Sequence, residues 1–162
     1  MKHCRTLVFI VCILSVALRV PAADWPQFRG ENFVGVSTEK DWQAEWKETP
    51  PMWTFNVQTG FSSVAVVDGL VYIAGGEKIR GDEAKRLAEK YPDLRPTMRE
   101  FLFCLDAETG EEKWRAPLDL NRYNGRGSLA TPAVSNGRVY AYSHYGIFLC
   151  CDTKTGEEIW RV

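Results

Sequence analysis

Two stretches of the chain alternate apolar and polar residues in the same phase. SSVAVVDGLVYIA (62–74) and ATPAVSNGRVYAY (130–142) align at an offset of 68 residues, split by Asp68-Gly69 and by Asn136-Gly137. Alternation with a period of two predicts half-buried strands. Asp-Gly and Asn-Gly supply the two positive-φ residues that a two-residue hairpin turn needs. FLFCLD (101–106) and IFLCCD (147–152) follow, each leading through a second turn into a Trp-bearing strand. Each unit therefore predicts four short antiparallel strands, and PPMWTFNV (50–57), carrying Trp53, predicts one more strand ahead of the first unit.

The second turn is written almost identically twice. DAETGEEKWR (106–115) and DTKTGEEIWR (152–161) share seven of ten residues at an offset of 46. Asp106 and Asp152 are placed to accept backbone N–H groups two or three residues on, with Thr109 and Thr155 adding a hydroxyl bond inside the loop. Gly110 and Gly156 supply a left-handed conformation that other residues adopt at a cost. Trp114 and Trp160 come four residues after those glycines. A Trp recurring at one repeat position reads as a plug between neighbouring sheets, burying on the order of 200 Å². Each is expected beside its Gly-bearing turn.

The two offsets differ by 22 residues, so the first unit holds an insertion, placed within 77–100. Ala84, Leu87, Ala88 and Tyr91 fall on one helical face there, Asp82 and Arg86 are spaced for an i,i+4 pair, and Pro92 ends the helix. A decorated loop on the rim of the unit is the first reading, a lid or partner-binding element the second.

The start of the chain has a different character. Lys2 and Arg5 precede a twelve-residue apolar run (7–18) broken only by Ser15, and Val20-Pro21-Ala22-Ala23 follows. This is the layout of a secretory signal over residues 1–23, cleaved after Ala22 or Ala23, with an apolar run shorter than the roughly 20 residues a membrane span takes. Its removal leaves 17 basic against 21 acidic side chains, a net charge of −4. No basic block is present to follow a phosphate backbone, so nucleic acid is not an expected partner. Cys104, Cys150 and Cys151 remain, an odd number and no disulfide framework, and with His144 the one mature histidine their spacing fits no zinc site.

CLDAETGEEKW (104–114) and CCDTKTGEEIW (150–160) resemble the PQQ-like β-propeller repeat along its whole length. DWPQFRG (24–30) followed by GVS (35–37) is similar to the opening of exported propellers of that family. The resemblance implies an all-β fold. The expected form is a partial β-propeller of two four-stranded blades (58–118 and 119–162), a short helical insertion in the first, and an N-terminal segment (24–57) whose Trp53 strand closes a ring. A closed propeller has four to eight blades, so the expectation is a fragment of a longer propeller, or else several short chains assembling into a ring.

Family members divide between quinoprotein dehydrogenases that use PQQ, assembly scaffolds without cofactor, and sensor portions of bacterial kinases. The docking Trp identifies the blade, not the activity. Family geometry offers Arg122, Arg126 and Ser128, in the inter-blade loop 121–132, as candidates to face a ligand such as PQQ in the channel. His144 and Tyr145 lie at the next hairpin without a visible partner for general-base work. Asp41, Asp93 and Asp119 lie in loops, and the Glu, Asn and Asp that hold calcium beside PQQ have no match. Some quinoprotein dehydrogenases hold a vicinal disulfide against the cofactor. Cys150-Cys151 sits within a strand, whose neighbours face opposite ways, so Cys150 is expected as a small buried residue. The expectation is an exported, non-catalytic scaffold in the periplasm or envelope of a Gram-negative-type bacterium. Its partners would be envelope proteins or further blades, with no catalytic or metal residue assigned. The alternatives are part of a PQQ-dependent dehydrogenase or of a kinase sensor.

Overall fold

The two hairpin dipeptides turn the chain as expected: Asp68 and Gly69 take φ of 51° and 73°, and Asn136 and Gly137 take 51° and 70°. A computed structural model describes residues 23–40, 45, 49–122 and 126–162; the signal-like segment up to Ala22, Asp41 and residues 123–125 lie outside them. The elements are β1 (Ala65–Val67), β2 (Leu70–Lys78), α1 (Gly81–Lys90), β3 (Met98–Asp106), β4 (Glu112–Asn121), β5 (Ala133–Ser135), β6 (Arg138–Tyr142), β7 (Phe148–Asp152) and β8 (Glu158–Arg161). They form two antiparallel sheets in sequential order, β1-β2-β3-β4 and β5-β6-β7-β8. Even the irregularities repeat. A β-bulge opposite Cys104/Leu105 recurs opposite Cys150/Cys151, just before each Trp.

The Asp-x-x-Thr-Gly turns are superposable circuits. Asp106 Oδ1 accepts from Glu108 N (3.0 Å), Thr109 N (3.0 Å) and Thr109 Oγ1 (3.1 Å), and Thr109 Oγ1 accepts from Glu111 N (3.2 Å). Asp152 repeats this with Lys154 N (2.8 Å), Thr155 N (2.9 Å) and Thr155 Oγ1 (3.3 Å), and Thr155 Oγ1 accepts from Glu157 N (3.2 Å). The backbone N–H of Thr109, with further donors in the same turn, holds the Asp106 carboxyl below the ordinary range; that of Thr155 does so for Asp152.

The tryptophans depart from expectation in one respect. Trp114 plugs the space between the two sheets as expected, but it packs on the glycine of the following repeat rather than on its own, and Trp53 packs in the same way. Trp114 donates from Nε1 to Thr153 O (3.1 Å), and a Cβ on Gly156 would fall 2.5 Å from its ring. Trp53 does the same one repeat earlier, to Ala107 O (3.0 Å) and against Gly110 (2.5 Å). The reason is geometric: a strand's side chains leave the sheet sideways, so an indole meets the next sheet's turn before its own. Around Trp114, Tyr72, Ala74, Leu102, Cys104 and Leu118 of the first sheet bury against Val139, Ala141, Leu149 and Cys151 of the second.

The Trp53 segment is a second correction. Residues 50–57 are extended but form no strand, because they cross the face of the first sheet and meet no free edge with which to build a ladder. Trp53, Phe55 and Val57 turn inward at every second residue onto Val71, Phe103 and Leu105. Phe55 meets Phe103 edge-on at 5.4 Å, and Val57 comes so close that a Cβ on Gly75 would lie 2.6 Å from it.

The insertion also differs in detail. Beyond α1 it lengthens the β2–β3 hairpin, whose ladder continues through Gly75–Lys78 and Met98–Phe101. Ala84, Leu87 and Ala88 are half-buried, whereas Tyr91 follows the helix and is exposed. Asp82 pairs with Lys85 (3.0 Å) instead of Arg86, and Glu83 reaches back to Arg99 (2.6 Å), tying the helix to its hairpin. The three cysteines are free and buried, as expected for Cys150.

The conformational strain of an added Cβ and the collision with an indole can be separated by substitution. Gly69, Gly110, Gly137 and Gly156 all have positive φ, but nothing lies within 4 Å of a Cβ on Gly69 or Gly137. Gly69→Ala and Gly137→Ala should each cost about 1 kcal/mol from backbone strain alone. Gly110→Ala and Gly156→Ala should cost about 1–3 kcal/mol more, from overpacking against Trp53 and Trp114. Urea denaturation of the four variants checks the difference; equal losses would contradict it.

Candidate functional site

At the end of the seam where β4 hands the chain to β5, the structure gathers a buried polar cluster. Glu100 begins the apolar stretch of β3 and is 0 % exposed, Asn121 closes β4 at 1 %, and Ser128 in the connection is at 0 %. His144 N, at the next hairpin, donates to Glu100 Oε2 (3.2 Å). Asp119 sits beside them, accepting from Leu120 N (2.7 Å) and Asn121 Nδ2 (3.3 Å). Among the described residues Glu100 Oε1, Asn121 Oδ1 and Ser128 Oγ are buried without a partner at hydrogen-bond geometry. Burial first, and the charge of Asp119 with it, push the Glu100 carboxyl above its ordinary range, against the pull of the His144 amide and of the nearby Asn121 and Ser128 side chains.

Glu100 was absent from the sequence-based candidates, although a faint signal existed. Met98, Glu100, Leu102 and Cys104 share one face of β3 and are all buried, but Phe101–Leu105 is apolar at every position, so only Met98 two residues before it hints that Glu100 points inward.

The sequence-predicted ligand residues do not converge. Arg122 donates from Nη2 to Asp93 O (3.0 Å) and from Nε to Leu94 O, clamping the turn after the inserted helix. Ser128 is sealed in the seam, its carbonyl accepting Phe61 N (2.8 Å), while Arg126 is exposed. Asp93 contributes its carbonyl to Arg122 and Asp119 caps the end of β4. The His144 ring meets Tyr145 edge-on at 4.9 Å, and both residues are exposed. PQQ is a planar tricarboxylate and needs cations gathered at its rim. One candidate arginine here is committed to backbone carbonyls, and the end of the seam carries the carboxyls of Glu100 and Asp119, so these residues do not fit it. Among the described residues no group of three or more His, Cys, Asp or Glu is placed to hold a metal ion. Burial raises the thiols of Cys104 and Cys151 to about 11 and that of Cys150 in the same direction, which leaves them protonated and poorly nucleophilic.

A second feature, missed in the sequence, lies on the first strands of both sheets. Trp25 exchanges backbone bonds with Val66 (2.7 and 2.9 Å), and Pro26 O accepts Val134 N (2.8 Å). Asp24 Oδ1 accepts Asp68 N (3.1 Å). Residues 24–26 thus strap β1 to β5 and cover edges that would otherwise be open to pairing. Under the strap is a cleft of about 360 Å³, with Tyr72, Asn136 and Thr153 among its walls.

The outer face of the second sheet repeats the face that takes a docked turn. Trp160 packs beside Tyr140 (6.1 Å) and Phe148 (5.2 Å), as Trp114 does beside Tyr72 (6.0 Å). Here Tyr142, Phe148 and Ile159 are exposed.

The buried carboxyl makes a testable claim. A carboxylic acid whose folded pKa lies above its unfolded one binds more protons when folded, so stability falls as pH rises between the two values and the full cost persists above them. Glu100→Gln should therefore raise stability by about 1–3 kcal/mol at about pH 8, with a much smaller gain near pH 5. Asp106 and Asp152 act in the opposite sense, their contribution being lost as pH falls below the carboxylate range. Denaturation at both pH values checks the sign; a variant less stable than the parent at pH 8 would contradict it.

No curated protein matches the chain. Among solved structures it is similar to a europium-containing methanol dehydrogenase (16 % identity, TM-score 0.38, covering 62 % of this chain and 14 % of that one). It is also similar to the quinohemoprotein alcohol dehydrogenase ADHIIG of Pseudomonas putida HK5 (25 %, TM-score 0.37, covering 60 % and 12 %). A third is BamB of Moraxella catarrhalis (18 %, TM-score 0.33, covering 63 % and 32 %). The chain thus spans between 12 % and 32 % of the length of these structures, and the overlaps are too loose to carry an argument about activity. The decisive match is to a family model described as outer membrane protein assembly factor BamB, over residues 37–162, which takes in both sheets and both Asp-x-x-Thr-Gly-x-x-x-Trp turns. The chain belongs to that PQQ-like β-propeller repeat family.

Proposed function

We propose that the chain acts outside the cytoplasm as a non-catalytic interaction module, and that the outer face of its second blade docks a further PQQ-like blade. One observation carries the reading: the contact is already made twice within the chain. Trp53 and Trp114 each lay an indole over a bare glycine and donate to a carbonyl of an Asp-x-x-Thr-Gly turn. Trp160 stands in the same setting, flanked by Tyr140 and Phe148. Its occupant must therefore present such a turn, with no side chain at the glycine.

The buried thiols, the committed Arg122 and the carboxyls of the seam favour docking over quinone chemistry. Export is supported by the basic–apolar–small layout of residues 1–23, and a role in the envelope accords with the family's description.

A photo-crosslinking residue in place of Ile159, in cells expressing the chain, tests the docking. The expected product is a crosslink to a polypeptide segment carrying the Asp-x-x-Thr-Gly-x-x-x-Trp repeat, lost when Trp160→Ala is added. A crosslink to unrelated proteins, or one indifferent to Trp160→Ala, would overturn the reading. Titration of the purified chain with PQQ and calcium should leave tryptophan fluorescence without saturable quenching; tight, calcium-dependent quenching would favour part of a quinoprotein dehydrogenase instead.

A further inference from the structure

Residues 23–39 close on themselves. Ala23 N donates to Glu39 Oε1 at 2.7 Å across 16 residues. Inside the loop Gly30 N bonds Gln27 O (2.9 Å) and Gly35 N bonds Arg29 O (2.9 Å), around a cavity of about 260 Å³. Gly30 lies over the Trp25 ring, 3.0 Å from where its Cβ would be. This is a compact loop with joined ends, and the strand-bridging residues 24–26 leave directly from its first residue.

We propose that the chain is processed between Ala22 and Ala23 and that Glu39 receives the new amino terminus. The inference rests on the export part of the reading above. The reaction is hydrolysis by a signal peptidase. Water breaks the Ala22–Ala23 amide, its oxygen joins the Ala22 carbonyl carbon as a carboxylate, and Ala23 leaves as an amine that takes up a proton. The bond has compact Val20 and Ala22 at the third and first places before it, the small-residue pattern such cleavage requires. Cleavage one residue later would put Pro21 at the third place and would discard the nitrogen that Glu39 holds. Before cleavage that nitrogen offers Glu39 one neutral N–H. Afterwards it offers a positive charge and a charge-assisted bond, whose gain is modest because both residues are exposed to water. Processing thereby fastens the loop, and through Asp24–Pro26 the strap across β1 and β5.

The test begins with the full chain expressed with its leader, recovered from the cell envelope and weighed intact. The expected mass is that of residues 23–162. An exported chain that begins at Asp24 or elsewhere, or keeps its leader, overturns the inference and leaves the export reading standing; an unprocessed chain confined to the cytoplasm overturns both. The second arm follows hydrogen exchange at the Val66 and Val134 amides, which donate to Trp25 O and Pro26 O. Glu39→Gln should speed it about two- to fivefold, and a mature chain with Gly-Ser added before Ala23 should do the same. Exchange unchanged in both would remove Glu39 as the receptor of the terminus.

Discussion

The indole of Trp114 occupies the space that any side chain on Gly156 would need, and its N–H meets a carbonyl of the same turn. That joint requires a residue without Cβ, at positive φ, in a turn held rigid by Asp152 and Thr155. It also requires a Trp at fixed distance on the preceding sheet, set by the β-bulge just before it. The near-identity of residues 106–115 and 152–161 is the consequence: each turn must receive one indole while its own repeat sends another onward. The motif describes an interface more than a local structure.

Around this repeated joint the two blades differ where their surroundings differ. Arg161 reaches across the seam to Leu118 O (3.0 Å) and Pro117 O (2.8 Å). Arg115, at the same repeat position, has the Trp53 segment beside its sheet instead of a full blade. It pairs with Glu112 (2.6 Å) and Glu77 (2.9 Å) and lies over the Phe103 ring at 4.9 Å. The long β2–β3 hairpin belongs to the first blade alone, and it brings Glu100 into the seam beside Ser128 and Asn121. Burial lifts the Glu100 carboxyl above its ordinary range, whereas donors within their own turns lower those of Asp106 and Asp152.

Local chemistry made most of the architecture legible in the sequence. Asp68-Gly69 and Asn136-Gly137 fix hairpins, alternation fixes strands, and Asp-x-x-Thr-Gly fixes the second turn. What escaped was decided between segments. Which glycine an indole covers depends on the direction in which a strand sends its side chains towards the next sheet, and Trp114 crosses the seam. Residues 50–57 have a strand's alternation, but a strand also needs an edge, and they were laid on a face. Arg122 had the charge to meet a ligand, yet two carbonyls of the inserted segment claimed it. Trp25 and Pro26 showed no periodic pattern because their partners are the free edges of β1 and β5, far along the chain.

If the indole–glycine joint is what couples the two blades, Trp114 and Gly156 must be energetically linked. The direct measurement is a double-mutant cycle of Trp114→Ala and Gly156→Ala by urea denaturation, with Trp160→Ala and Gly156→Ala as the control pair. With the indole gone, the added methyl on Gly156 has space, so the double variant should be more stable than the sum of single losses implies, by about 1–3 kcal/mol. The control pair should be additive within about 0.5 kcal/mol. Additivity in both cycles would contradict the account, because the two blades would then be held together without the contact on which their repeated sequence has been explained.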